Sequence, residues 1–269
     1  MGSNAAVPEQ AASAPAADGY APELGDWRCA TAFWITAVDG QAIGHKAAHQ
    51  VTTLTKFSRH TSFVTPSATA LHLNSAWRAA KSAVQLKAQL KWVTGSVAPG
   101  VLVEQIAIED TSVLFDYLEQ SMSAAISAFA AIEAFCNSVI VEHSTGPLTL
   151  KRRKGVETLS PEEVERLVST DEKLKRIVPD LLGCPTPAGK AVWQRYVKLK
   201  ELRDSVTHFK RKDQARHAAQ LNEPTALHEL VTADPPSFPE TATAVIEYFF
   251  VGGAVPRWMV NPAWSRTAP

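Results

Sequence analysis

The sequence has little cysteine. Its three, Cys29, Cys136 and Cys184, stand far apart and form no CxxC pair. That excludes a disulfide framework and a zinc knuckle, and it suits a reducing cytoplasm. Neither sign of charge prevails: 27 Lys and Arg balance 27 Asp and Glu. No global field therefore selects a nucleic acid or a membrane, and such a preference must come from a local patch. Residues 1–25 contain no Lys or Arg and no apolar run, being rich in Ala, Pro, Ser and Gly. This excludes a signal peptide and leaves a disordered tail. Only residues 122–141 approach the hydrophobicity of a membrane span, and they include Glu133 and Asn137. A carboxylate at bilayer depth costs at least about 2.5–3.5 kcal/mol, so a buried core helix is expected there and no membrane association. No Walker loop, GxGxxG or GxSxG occurs, which leaves nucleotide hydrolysis, dinucleotide binding and serine hydrolysis unsupported. His45 and His49 have the spacing of a metal pair. Lys46 follows His45, no HExxH is formed and no third ligand stands near, so no metal or other cofactor is expected.

What is present is an ordinary globular composition. The 269 residues are 45% hydrophobic and 20% charged, enough for one large domain or two small ones. No solenoid-length repeat occurs. Two readings fit residues 27–68. Asp39-Gly40 and the threonine-rich stretch from Val51 to Phe57 suggest a short hairpin, while Ala30, Phe33, Trp34 and Ala37 share a helical face. Residues 67–93 read as a long helix, with Leu73, Trp77, Ala80, Val84 and Trp92 near one stripe. Residues 95–100, with Gly95, Pro99 and Gly100, read as a joint between an N-terminal region of unknown role (26–100) and a helical domain (101–255).

In that domain, Leu114, Leu118, Met122, Ala125, Phe129, Ile132, Cys136 and Val139 step by three or four over residues 110–141. Alanines thin this helix enough for a neighbour to pack closely. Residues 143–159 read as a loop with the basic run Lys151-Arg152-Arg153-Lys154. Ser160-Pro161-Glu162-Glu163 is a capping box with proline at the first helical position. A further helix starts at Asp171 and is closed by Pro179 and Gly183. Another helix covers residues 189–212, and a last one runs from Pro239 to Val251. Residues 256–269 read as a tail that packs back through Trp258 and Trp264. The fold class is mainly all-α, a bundle of four or more helices.

The chemistry-bearing stretch is Arg203-Asp204-Ser205-Val206-Thr207-His208. It holds a permanent cation, an acceptor for an imidazole N–H, and the side chain that titrates near neutral pH. On a helix Asp204 and His208 lie one above the other, so the carboxylate could orient the imidazole. Arg203 and His208 are about 140° apart around the axis and share no face. A catalytic reading therefore requires two copies related by a two-fold axis, a homodimer. With His208 as acid or base and Arg203 stabilising a charged transition state, the set suits metal-independent RNA cleavage by the ribose 2′-OH. Between residues 195 and 216 there are eight Lys or Arg and three acids. Lys200, Lys210, Arg211 and Lys212 are the candidate phosphate contacts. The common alternative is a solvated helix face, with the last three residues complementing the helix C-terminus. Glu133 and Asn137 are candidates to support Arg203, or else a buried polar pair satisfied by neighbouring elements.

Lys200-Glu201-Leu202-Arg203-Asp204-Ser205-Val206-Thr207-His208-Phe209 resembles the motif of the HEPN superfamily, an arginine, a polar residue and a histidine after a gap of four to six. The alanine-rich helix around Ala128 to Ile140, with its acid and Asn, is similar to the first core helix of many members. Residues 242–250 sit where their closing helix would. The resemblance spans about residues 105–251. It implies a dimeric helical bundle acting as a metal-independent endoribonuclease, with Arg203 and His208 as the catalytic pair and Asp204 as the polar helper. It further implies a toxin or antiviral defence effector, with an antitoxin or a nucleotidyltransferase as partner. Some members of that superfamily are inactive binding modules.

Overall fold

A computed structural model describes residues 25–38, 41–56, 59–98, 101–152, 155–209, 225–250 and 255–259. The fold is mainly helical and is organised around one long helix. The helix α1 (Ala68–Lys87) starts where Ser67 leaves the extended region and its side chain accepts from the Ala70 N–H at 3.2 Å. Helix α2 (Thr111–His143) has 33 residues and is about 50 Å long. Both helices bury alanines, at 70, 76, 79, 80 and 83 in α1 and at 124, 125, 128 and 131 in α2. Small side chains let the two axes approach closely, and this pair makes the most extensive helix contact in the molecule. Residues on both sides of position 100 thus share one core.

The capping box at Ser160 is present, with the hydroxyl accepting from Glu163 N–H and the Glu163 carboxylate accepting from Ser160 N–H, and it starts α3 (Pro161–Leu167). The next helical stretch begins at α4 (Thr170–Glu172), passes through a π-helical turn (Lys173–Ile177) and ends as α5 (Val178–Leu182). Pro179 accounts for the wide turn. It has no N–H to continue the ladder, and its ring would clash with an ordinary preceding turn. Gly183, at φ 63°, closes the stretch in the left-handed conformation that an L side chain resists. Helices α6 (Ala191–Thr207), α7 (Ala226–Thr232) and α8 (Ser237–Glu247) complete the described bundle. They pack on α2 and on one another. A short turn at Arg257–Met259 returns Trp258 and Met259 to the core. Trp264 lies outside the described residues.

The sheet content exceeds the single hairpin expected. The described residues contain four separate antiparallel hairpins: β1 (Ala32–Val38) with β2 (Gln41–His49), β3 (Val51–Lys56) with β4 (Arg59–Val64), β5 (Trp92–Ala98) with β6 (Val101–Ile106), and β7 (Leu148–Arg152) with β8 (Gly155–Leu159). Of the two readings of residues 27–68, the hairpin holds for residues 32–38, which are strand and pair with β2. Two other expectations are corrected here. The long helix ends at Lys87, and residues 92–98 are strand β5, paired with β6, rather than its continuation. Lys151 and Arg152 of the basic run lie on β7 rather than in a plain loop, and Arg153 and Lys154 lie outside the described residues. The β7–β8 hairpin covers a small second core of Ile140, Leu150, Val164, Val168 and Ile177.

Residues 108–143 are long and apolar enough to cross a membrane. More than half of the most apolar window is buried inside the bundle, as expected for its central helix.

Candidate functional site

Arg203 and His208 both sit at the C-terminal end of α6. The buried positions Trp193, Tyr196, Leu199, Leu202 and Val206 fix which way this helix faces, and they place Arg203 toward α2. Its guanidinium lies over the Phe129 ring, 3.7 Å from the centroid. Phe129 in turn stacks on Tyr196 with centroids 6.0 Å apart and planes at 22°. A cation over an aromatic face is attracted by the ring quadrupole, and Arg, ring and ring form one stack across α2 and α6. Arg203 Nη1 pairs with Asp204 Oδ1 at 2.9 Å. Its Nε is shielded from solvent and has no hydrogen-bond partner, while the side chain as a whole is 27% exposed.

His208 caps the helix and leaves helical geometry, at φ −129° and ψ 69°. Its backbone N–H still donates to Asp204 O at 3.1 Å, and its side chain is exposed. The expected contact between the Asp204 carboxylate and the imidazole is not among the hydrogen bonds of the described residues. The carboxylate is engaged by Arg203 instead. Within one chain, then, Arg203 and Asp204 are brought together and His208 stands apart.

Lys200 is not a free cation. Its Nζ donates to Asp171 Oδ2 at 2.8 Å, and Tyr196 Oη donates to Asp171 Oδ1 at 2.6 Å. Burial pushes the Asp171 carboxyl up, but the hydrogen bonds from Lys200 and Tyr196 outweigh it and hold the group below its ordinary value. The Tyr196 hydroxyl is pushed well up, by burial first and then by its bond to the Asp171 carboxylate. Lys210, Arg211 and Lys212 lie outside the described residues.

Glu133 and Asn137 face the α3–α5 side of the bundle. Asn137 Oδ1 accepts from Lys173 Nζ at 2.8 Å, and Glu133 Oε1 accepts from Thr170 Oγ1 at 3.5 Å. Neither hydrogen-bonds to Arg203 among the described residues. Lys173 is fully buried, and its ammonium also donates to Glu165 O at 2.7 Å. Burial pulls its pKa down, against the nearby Cys136, Glu133 and Glu165.

Phe129, Asp171, Lys173 and Tyr196 carry no sequence motif. Tyr196 alone had a usable signal, since it precedes Arg203 by seven residues, two turns along the same face. The other flank of α6 lines a pocket of about 470 Å³ with α7 and α8, bordered by Arg195, Lys198, Glu201 and Glu229 over Leu202 and Phe238. It does not include Arg203 or His208. Among the described residues, no group of three or more His, Cys, Asp or Glu could hold a metal ion.

Comparison of the chain with protein-family models, with curated proteins and with solved structures finds no match in any of the three.

Proposed function

We propose that the chain is a cytoplasmic, metal-independent endoribonuclease of the HEPN type, acting as a homodimer in toxin or antiviral defence. The observation that supports this reading is the asymmetric state of the pair. Arg203 is held by the Phe129 stack, and His208 stands one turn on with an exposed imidazole. A second copy across a two-fold axis would supply what a single chain separates, an imidazole beside a fixed guanidinium. The imidazole would take the ribose 2′-OH proton, the oxygen would attack the adjacent phosphate to give a cyclic phosphate, and Arg203 would stabilise the added charge. An antitoxin or a nucleotidyltransferase would be the partner that the resemblance implies.

The alternative is a non-catalytic helical module that binds a protein, a nucleic acid or a nucleotide. It is favoured by one observation, that Asp204 engages Arg203 and leaves His208 unoriented. Incubation of purified protein with RNA in EDTA separates the two. The first reading expects cleavage that falls about 100-fold or more in Arg203→Ala and His208→Ala. Equal cleavage by both variants would refute the site, and no cleavage by wild type would establish the module.

A further inference from the structure

The segment from Gly40 to Val103 contains no Asp or Glu. It carries seven Lys or Arg: Lys46, Lys56, Arg59, Arg78, Lys81, Lys87 and Lys91. With 27 acids in 269 residues, a stretch of 64 would hold about six at the chain's own average. Residues 104–269, by contrast, hold 19 Lys or Arg against 22 Asp or Glu. Solubility needs charge of either sign and gives no reason to exclude carboxylates. A polyanionic partner does, because every carboxylate on its docking face is repulsive.

The structure shows where these cations stand. Arg59 lies on β4, whose six residues are all exposed. Arg78 and Lys81 lie on the exposed side of α1, and Lys91 follows that helix into β5 and is exposed. Among the described residues none of these four has an ion-pair partner. Lys87 is engaged, donating to Ala233 O at 2.8 Å, and the side chains of Lys46 and Lys56 lie outside the described residues. The β3–β4 ribbon adjoins the N-terminal end of α1 through Thr65 and Pro66, and the β5–β6 ribbon begins just beyond its C-terminal end. The helix itself is about 30 Å long between the two ribbons, and its basic residues lie in the C-terminal half, from Arg78 to Lys87.

Each ribbon adds an aromatic ring that is not packed away, Phe63 at 44% and Trp92 at 50% exposure. On its face of the hairpin Phe63 stands opposite Thr52 and beside Thr61. A helix that enters a lipid surface needs a continuous apolar face. The exposed side of α1 instead carries Ser75, Arg78, Lys81 and Gln85 between the separated Leu71 and Val84. Free cations alternating with open rings are the means by which proteins hold single strands, through phosphate contacts and base stacking.

We infer that α1 and its two flanking ribbons form a docking surface for single-stranded RNA. This surface is separate from the Arg203–His208 site and stands whether or not that site cuts.

The test is fluorescence anisotropy with a labelled RNA of about 20 nucleotides, across a salt series. EDTA is present and every protein carries His208→Ala, so cleavage cannot enter the reading. The reversal Arg78→Glu/Lys81→Glu/Lys91→Glu is expected to raise Kd at least about tenfold and to flatten the slope of log K against log salt by about two. Trp92→Ala is expected to weaken binding about fivefold or more with the slope unchanged. A matched reversal, Arg166→Glu/Lys190→Glu/Arg176→Glu, is expected to stay within about threefold, and circular dichroism confirms that each protein is folded. Equal losses in the two reversals, no loss in the first, or binding to phosphatidylglycerol vesicles without binding to RNA would each overturn the inference.

Discussion

The cations around α6 and those around α1 meet different fates. Lys200 faces Asp171, Arg203 faces Asp204 and Phe129, and Lys173 is enclosed by Asn137 and a carbonyl. Arg59, Arg78, Lys81 and Lys91 face solvent with no carboxylate in their whole stretch of chain. The first group joins α2, α4 and α6 into a bundle. The second group adds nothing visible to the packing. A count of basic residues therefore says little about phosphate affinity until each one's partner is known. By count alone, residues 195–216 look like the phosphate-attracting surface, yet Lys200 and Arg203 there are engaged, whereas Arg59, Arg78, Lys81 and Lys91 have no ion-pair partner among the described residues.

The comparison can be broken by measuring stability on each side. The largest effect is expected at Lys173. Its replacement by alanine leaves Asn137 Oδ1 and Glu165 O unpaired and opens a cavity, at a cost of about 3–4 kcal/mol in urea denaturation. A cost below about 1 kcal/mol would show that the buried ammonium is not structural.

Asp171→Asn is expected to cost about 2 kcal/mol at neutral pH, since it weakens charge-assisted hydrogen bonds to Lys200 and Tyr196. The sign with pH follows from the lowered carboxyl. The ionised form is favoured in the folded state, so the contribution is complete above the unfolded value near 4 and is lost as pH falls through the lower folded value. Unfolding curves of wild type and Asp171→Asn should accordingly converge in acid and separate toward pH 6. A gap that does not change with pH would assign the effect to packing instead.

Phe129→Leu is expected to cost about 1–2 kcal/mol, through the lost cation–π contact and ring stack. If Arg203 is catalytic, the same variant lowers kcat more than it raises KM, because a loosened guanidinium is misplaced in the transition state. The smallest effect is expected on the other side of the comparison. Arg78→Ala/Lys81→Ala should change stability by no more than about 0.5 kcal/mol while weakening RNA binding.

The parts of the fold legible in the sequence are those in which one face is buried. α2 was visible because its apolar residues recur every three or four positions against a single core. Ser160 to Glu163 was visible because capping is local chemistry. Of the ribbons, only the first was legible, as one of two readings of residues 27–68. β4 is exposed at all six positions, so neither face demands apolar residues and no alternation is imposed. Gly95 suggested a break in the chain, but it lies within β5, while Pro99 and Gly100 lie outside the described residues. At the candidate site, Arg203, Asp204 and His208 were legible as residue types in a short motif. The partners that set their state were not: Phe129 precedes Arg203 by 74 positions, and Lys173 follows Asn137 by 36. A buried lysine has no local pattern, since only the acceptors brought by the fold make its burial tolerable.

Cleavage of single-stranded RNA in EDTA by Arg203→Ala, by His208→Ala and by their equimolar mixture tests most directly whether two copies complete one site. If Arg203 of one copy works with His208 of the other, each variant alone is about 100-fold or more below wild type. The mixture then recovers to roughly a quarter of wild type, because half of randomly paired dimers hold one intact site of two. Variants that cut as fast as wild type, or a mixture no more active than its components, would contradict that composite site.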